Sequence, residues 1–212
     1  MTGPHVVPLR DDIAALLDKS RRALVGITGP PGAGKTTLAR KLHGHFMSRL
    51  GGSKVGYLPM DGFHLSDAVL ERLGRRNRKG APDTFDVAGF VATLRRIAEG
   101  TDDVYAPDFD HTVGEPVAAS ICIPSDARLV IVEGNYLAVD DGRWIEVSRL
   151  LDRLYYVDAD DAVRRERLLA RHIRAGKSPT EAQAWVTTVD DANASLIAGT
   201  RHHADLIVDG NH

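Results

Sequence analysis

Apolar residues along this chain follow two periods that alternate. Leu24-Val25-Gly26-Ile27-Thr28, Arg128-Leu129-Val130-Ile131-Val132-Glu133 and Leu154-Tyr155-Tyr156-Val157-Asp158 are short apolar runs, which suit strands covered on both faces. Residues 54–60 read as a further strand, and 205–208 as a last one at a sheet edge. Between them the spacing becomes helical. Ile13, Leu16 and Leu17 share a face over 11–20; Leu38, Leu42, Phe46 and Leu50 share one over 35–50, where Gly51-Gly52 stops the helix. Asp86 is placed to N-cap a helix carrying Val87, Phe90, Val91, Leu94 and Ile97. A helix over about 160–175 comes next. Ser178-Pro179-Thr180-Glu181 then has the form of a capping box opening a helix with Ala182, Trp185, Val186, Val189 and Leu196 along one side. Residues 62–85 read mostly as loop, and 103–123 as short strands around a long loop. Strands alternating with helices imply an α/β fold built on a parallel sheet.

Composition narrows the function classes. The 212 residues are 43% hydrophobic and 26% charged, ordinary for a globular chain. Lys+Arg 27 against Asp+Glu 29 leaves a formal charge of −2, which gives no chain-wide attraction for nucleic acid or an anionic membrane. No apolar run approaches the roughly 18 residues of a membrane span. The opening MTGPHVVPLRDD has no basic segment followed by an apolar one, so a cytoplasmic protein is expected. The single cysteine, Cys122, lies between Ile121 and Ile123 and reads as a buried, inert thiol.

The chemistry starts at Gly29-Pro30-Pro31-Gly32-Ala33-Gly34-Lys35-Thr36, which fits G-x-x-x-x-G-K-[ST] between a strand and a helix. Glycines let the backbone curl so that successive N–H groups point at phosphate oxygens, and the helix adds its N-terminal dipole. The motif assigns Lys35 to the β- and γ-phosphates and the Thr36 hydroxyl to Mg²⁺.

Carboxylates at strand ends extend the pattern. Glu133 closes an apolar strand, either beside a magnesium shell or as a solvated strand end. Asp61 follows another strand at the carboxyl edge of the sheet, where ligands bind in open α/β folds; it could take the proton of an attacking hydroxyl or simply form an Asp-Gly turn. His64 reads first as a structural hydrogen-bonding group. Tyr105, Asp108, Phe109, Asp110 and His111 could line an acceptor pocket or pack a loop.

Arg164, Arg167, Arg171 and Arg174 fall at i, i+3, i+7 and i+10, in one arc of a helix, with Ala162, Leu169 and Ile173 roughly opposite. A solvated face and a lid closing over transferring phosphate both fit, and the phosphate loop favours the lid. Arg72, Arg75, Arg76, Arg78 and Lys79 form a second basic run, without the aromatic platform of an RNA binder.

Taken in order, GPPGAGKT, MDGFH at 60–64, RKGAPDTFD at 78–86, PDFDH at 107–111, VEGNYL at 132–137 and the Arg-rich helix resemble the P-loop small-molecule kinases related to uridine kinase, pantothenate kinase and phosphoribulokinase. The likeness is strongest to a bacterial nucleoside/nucleotide kinase-like or fructose-transport-associated, fructokinase-like branch. It implies a three-layer α/β/α P-loop fold with about five parallel strands, one domain over 1–212 and a lid near 160–180. It also implies an ATP:alcohol phosphotransferase that uses Mg²⁺ and a small-molecule hydroxyl acceptor, with a homodimer compatible by resemblance. Nucleotide contacts are expected at Gly29, Pro30, Pro31, Gly32, Ala33, Gly34, Lys35, Thr36, Thr37 and Arg167, and metal contacts at Thr36 and Glu133. Asp61 becomes the expected catalytic base, with Lys35, Arg171 and Arg174 as its catalytic partners. His64, Phe109, Asp110, His111 and Glu133 are the further expected substrate contacts. Uridine kinases usually carry Tyr where Phe109 stands, and the extended segments of pantothenate kinase are missing, so a sugar such as fructose leads the acceptors. The rival class is a nucleotide-dependent regulator with no acceptor. A guanine-reading switch would show Asn-Lys-x-Asp, and no such string occurs.

Overall fold

In a computed structural model, which describes residues 6–211, five parallel strands lie in the order β2-β5-β1-β6-β7. They are β1 (Ala23–Thr28), β2 (Val55–Pro59), β5 (Leu129–Glu133), β6 (Arg153–Asp158) and β7 (Leu206–Asp209). Every residue of β1 and β5 is buried, as continuous apolar runs require when both faces are covered. Side chains alternate between two cores. Val25, Ile27, Leu129, Ile131 and Tyr155 meet α1 (Val6–Lys19) and α2 (Lys35–Leu50) through Ile13, Leu17, Leu42 and Phe46. Leu24, Val130, Val132, Leu154 and Tyr156 face the opposite way. There they meet α4 (Val87–Glu99), α5 (Trp144–Ser148) and α8 (Asp191–Ala198) through Phe90, Leu94, Trp144 and Ile197. The result is the three-layer α/β/α arrangement.

Register brings the strand ends together. Glu133 pairs with Ile27 on one side and Pro59 on the other, so the turns after β1, β2 and β5 open at one level of the carboxyl edge. The chain lays β2 and β5 on one side of β1 and β6 and β7 on the other, which makes a crevice at β1. Among the described residues no helix is long and apolar enough to cross a membrane.

Several local expectations shift. The first helix starts at Val6 rather than 11, with Pro8 tolerated in a first turn whose N–H groups have no helical partner. Residues 62–85 contain α3 (Asp67–Arg72), capped by the Ser66 hydroxyl accepting from Val69 N–H at 3.4 Å; six residues are too few to show a period. Residues 103–123 form an antiparallel hairpin, β3 (Val104–Asp110) with β4 (Glu115–Ile123), joined by a tight turn instead of a long loop.

That hairpin corrects the reading of Cys122, which is exposed. Its neighbour Ile123 turns into the core, so the pleat sends Cys122 outward opposite the exposed Tyr105. The helix after Ser178 has the expected capping box but is interrupted. After α7 (Pro179–Trp185), a π turn over Val186–Asp190 precedes α8. The extra residue of a π turn rotates the helix beyond it. Asn193, Ala194 and Ile197 therefore face inward, and Leu196, expected on the apolar side, is exposed.

Candidate active site

The turn from β1 to α2 depends on residues without side chains. A Cβ on Gly29, whose φ is 139°, would sit 2.3 Å from the Val157 carbonyl oxygen of β6, so only glycine lets the loop leave the sheet there. Gly34 caps α2 in the left-handed region, and no side chain fills the cap. The first-turn N–H groups of α2 are thus left for an anion.

Lys35 begins α2 and is only 7% exposed. Its Nζ donates to the Pro30 carbonyl at 3.0 Å and so lies back along the loop. Burial lowers its pKa to about 8, against the pull of Glu133 and Asp61, while Arg171 and Arg164 add to the lowering. A buried ammonium in this condition gains from any phosphate brought to it.

Glu133, at the end of β5, is equally buried, and burial raises its pKa despite the opposing Lys35 charge. One oxygen, Oε2, accepts from Thr36 Oγ1 at 3.2 Å and from the Tyr57 hydroxyl at 3.1 Å.

Asp61 lies in the 3₁₀ turn Met60–Phe63 that follows β2. It is half-buried, and its charge is felt at Lys35, Glu133, His64 and Tyr136. Among the described residues its carboxylate oxygens carry no hydrogen bond. Gly62 explains the closeness of the hairpin, since a Cβ there would fall 2.2 Å from the Pro107 carbonyl oxygen of β3. His64 Nδ1–H donates to the Asp61 carbonyl at 2.7 Å, which leaves Nε2 as an acceptor. Burial lowers the His64 pKa and keeps the ring neutral; the Asp61 charge opposes this, and Lys79 and His111 assist. Its ring lies 4.1 Å from Phe85 and 4.9 Å from Phe109, and Phe109 lies 5.2 Å from His111. Asp110 is occupied with the hairpin turn, its Oδ1 accepting from the Thr112 and Val113 N–H groups at 2.7 and 3.2 Å.

The arginine stripe is divided by the structure. On α6 (Asp161–Arg174), Arg164 is 3% exposed and donates to the Pro31 carbonyl at 3.1 Å and to Asp161. Arg167 donates to the carbonyls of Gly32 at 3.2 Å and Gly210 at 2.8 Å. Arg171 and Arg174 are exposed, and the Arg171 charge reaches Lys35. The packed face of α6 is therefore the arginine side, with Leu168 buried and Ile173 exposed. It packs on loop carbonyls rather than on an apolar layer, and guanidinium groups suit such a surface. In the basic run, Arg75 and Arg78 pair with Asp83, and Arg76 and Lys79 pair with Asp67.

Three polar residues escape a reading of the sequence. Tyr57 sits in a strand that reads simply as apolar. Tyr136, fully buried, and Asn193 both donate to the Gly80 carbonyl and hold the 79–80 loop against the core. The VEGNYL string contains Tyr136, but nothing local marks the side chains it meets.

Comparison with known proteins agrees with this geometry. The Schizosaccharomyces pombe protein named "Putative uridine kinase C227.14" is 38% identical over 174 residues, 80% of this chain and 74% of its own. YggC of Escherichia coli K12, named as uncharacterized, is 35% identical over 204 residues, 95% of this chain and 84% of its own. The solved structure titled "putative fructose transport system kinase", from Silicibacter sp. TM1040, superposes with a TM-score of 0.85 at 32% identity, covering 97% of this chain and 99% of the other. Residues 24–211, from β1 through the end of β7, match the Phosphoribulokinase / Uridine kinase family. Since the match spans the whole sheet as well as the phosphate loop, the chain belongs to that family and is an ATP-using small-molecule kinase.

Proposed function

We propose that the protein transfers the γ-phosphoryl group of ATP to a hydroxyl of a small metabolite, with a sugar such as fructose the first acceptor to test. One observation carries the reading. Asp61, whose carboxylate carries no hydrogen bond among the described residues, lies within electrostatic reach of the buried Lys35 and Glu133 and beside the His64 ring, which in turn lies against Phe109. An acceptor hydroxyl between Asp61 and the phosphate loop would be held in line with the γ-phosphorus. As the new O–P bond forms and the bond to the β-phosphate oxygen breaks, the hydroxyl proton passes to Asp61 and ADP leaves.

The backbone from Gly29 to Thr37, with Lys35, holds the phosphates, and Arg164 and Arg167 brace that loop from α6. Thr36 and Glu133 fit Mg²⁺. A hydroxyl and a carboxylate meet at 3.2 Å at the start of α2, and so few hard oxygen donors suit an ion that keeps most of its waters and takes phosphate oxygens. Bound there, Mg²⁺ would offset charge on the β- and γ-oxygens. Residues 160–180 act as the lid, with Arg171 and Arg174 closing on the transferring group. Arg171→Ala is expected to lower kcat about ten- to a hundredfold, the worth of one charge-assisted contact, with a smaller effect for Arg174→Ala; steady-state ADP release measures both.

The sugar reading draws support from the name of the Silicibacter relative, over nearly the full length of both chains. A nucleoside acceptor is the second reading, because the Phe109, His64 and His111 rings would stack a base and the yeast relative is named for uridine. Incubation with ATP and Mg²⁺ against fructose, uridine and pantothenate separates these. Fructose is expected to raise ADP release at least tenfold above the acceptor-free rate and to yield a product heavier by one phosphoryl group. Stimulation by uridine alone would move the assignment to the nucleoside. No stimulation by any alcohol would favour the regulator.

A further inference from the structure

The sequence marks no candidate for the site's chemistry between Thr37 and Asp61, yet β2 sends one side chain into the site. Tyr57 stands two positions before Pro59, the cross-strand partner of Glu133, so Tyr57, Pro59 and Glu133 share a face of the sheet. Its ring is half-buried beside α2, 6.0 Å from the ring of His43, and its hydroxyl donates to Glu133 Oε2 at 3.1 Å. Burial, together with the neighbouring Glu133 carboxylate, raises the phenol pKa, so the group remains an O–H donor.

Both donors to Glu133, Tyr57 and Thr36, bind the same oxygen. Among the described residues Oε1 accepts no hydrogen bond, so it is the oxygen that would serve a bound metal. Lys35 is close enough to stabilise the Glu133 carboxylate. Were Thr36 the one remaining donor, that carboxylate would be free to turn toward the ammonium, which would draw both groups away from nucleotide and metal.

We infer that Tyr57 is a positioning residue that orients Glu133 for Mg²⁺, setting the magnesium dependence of nucleotide binding rather than the affinity for the nucleotide itself. The inference rests on the proposed role of Glu133 in the metal shell. It assigns β2, an edge strand of the sheet, a part in the site beyond delivering Asp61.

Tyr57→Phe removes the hydroxyl and keeps the ring packing. Binding of a fluorescent ATP analogue, titrated with MgCl₂, reads the effect without turnover. The expected result is a Mg²⁺ half-saturation concentration raised about tenfold, the usual cost of losing an outer-shell partner, with metal-free affinity for the analogue within twofold of the parent. In a Glu133→Gln background the same substitution is expected to add nothing, because Tyr57 acts only through that carboxylate. Unchanged Mg²⁺ half-saturation in Tyr57→Phe, or an equal fall in metal-free affinity, overturns the inference. A full additional loss in the double variant overturns it too. If Glu133→Gln alone leaves the magnesium dependence unaltered, the proposed metal role of Glu133 fails and the inference falls with it. If only Tyr57→Phe is silent, the role of Glu133 stands.

Discussion

Asp61→Asn lowers kcat by about 10²- to 10⁴-fold and leaves ATP bound at least as tightly as before. The amide keeps the size of the carboxyl group, and the 3₁₀ turn that carries it is built from backbone bonds, so the site retains its shape. What disappears is the carboxylate that the proposed mechanism uses as the base for the hydroxyl proton. The sign of the effect on ATP comes from charge. Asp61 is one of the two carboxylates that act on buried Lys35, and its negative charge also opposes the phosphates that Lys35 would hold. Removing it relieves that repulsion while the loop and Lys35 remain. Steady-state ADP release with the best acceptor, set against equilibrium binding of a fluorescent ATP analogue, separates the two effects. Transfer at the parental rate would remove Asp61 from the mechanism, and loss of ATP binding would make it a structural residue.

Lys35→Met reduces kcat/KM for ATP by roughly 10²- to 10³-fold, the scale for removing one preorganised donor from a developing anion. Two losses coincide here. The ammonium that would meet the phosphate oxygens is gone, and Glu133 loses the charge that offsets its burial. The Glu133 pKa then rises further, so less carboxylate is available to a metal. The variant is therefore expected to need more Mg²⁺ as well as more ATP, whereas Asp61→Asn changes neither requirement upward. Magnesium and ATP titrations of the same preparation, with circular dichroism to show that the sheet persists, measure this. A Lys35→Met enzyme with parental kcat/KM would mean that the phosphates lie elsewhere.

Magnitudes rank the remaining side chains. The contact proposed for Arg171 would be made from an exposed helix position and screened, so its loss is expected to cost less than that of buried Lys35. Arg164 and Arg167 bind loop carbonyls, and their substitution acts through the shape of the loop.

Much of this is readable along the chain because its causes are local. The loop from Gly29 to Thr36 carries its own geometry, since glycine is required where φ is positive and Lys-Thr must open the helix. Asp86 caps α4 by accepting from the Gly89 N–H at 2.9 Å, and Ser178 and Glu181 close their capping box, each within four residues of sequence. Apolar runs of five or six residues mark the strands, and the ordered strings around Asp61 and Glu133 mark the family.

The misses share a different cause. Cys122 reads as buried from its neighbours, but exposure in a hairpin depends on which face of the pleat meets the core. Leu196 continues a helical stripe by counting, and the π turn before it breaks the count. The stripe of Arg164, Arg167, Arg171 and Arg174 looks uniform on a helical wheel; packing on the phosphate loop buries the first and leaves the last two open.

Tyr57 marks the boundary most clearly. Composition and spacing, acting through bonds and contacts a few residues long, are enough to establish an α/β fold with a phosphate loop and acidic residues at strand ends, and the resemblance of the ordered strings adds the kinase. Which tyrosine touches which glutamate depends on β2 lying beside β5 in a register that sets Pro59 against Glu133. Tyr57 and Glu133 are 76 positions apart along the chain. Strand order and register arise from the packing of both sheet faces at once, so those contacts exist only in the folded molecule.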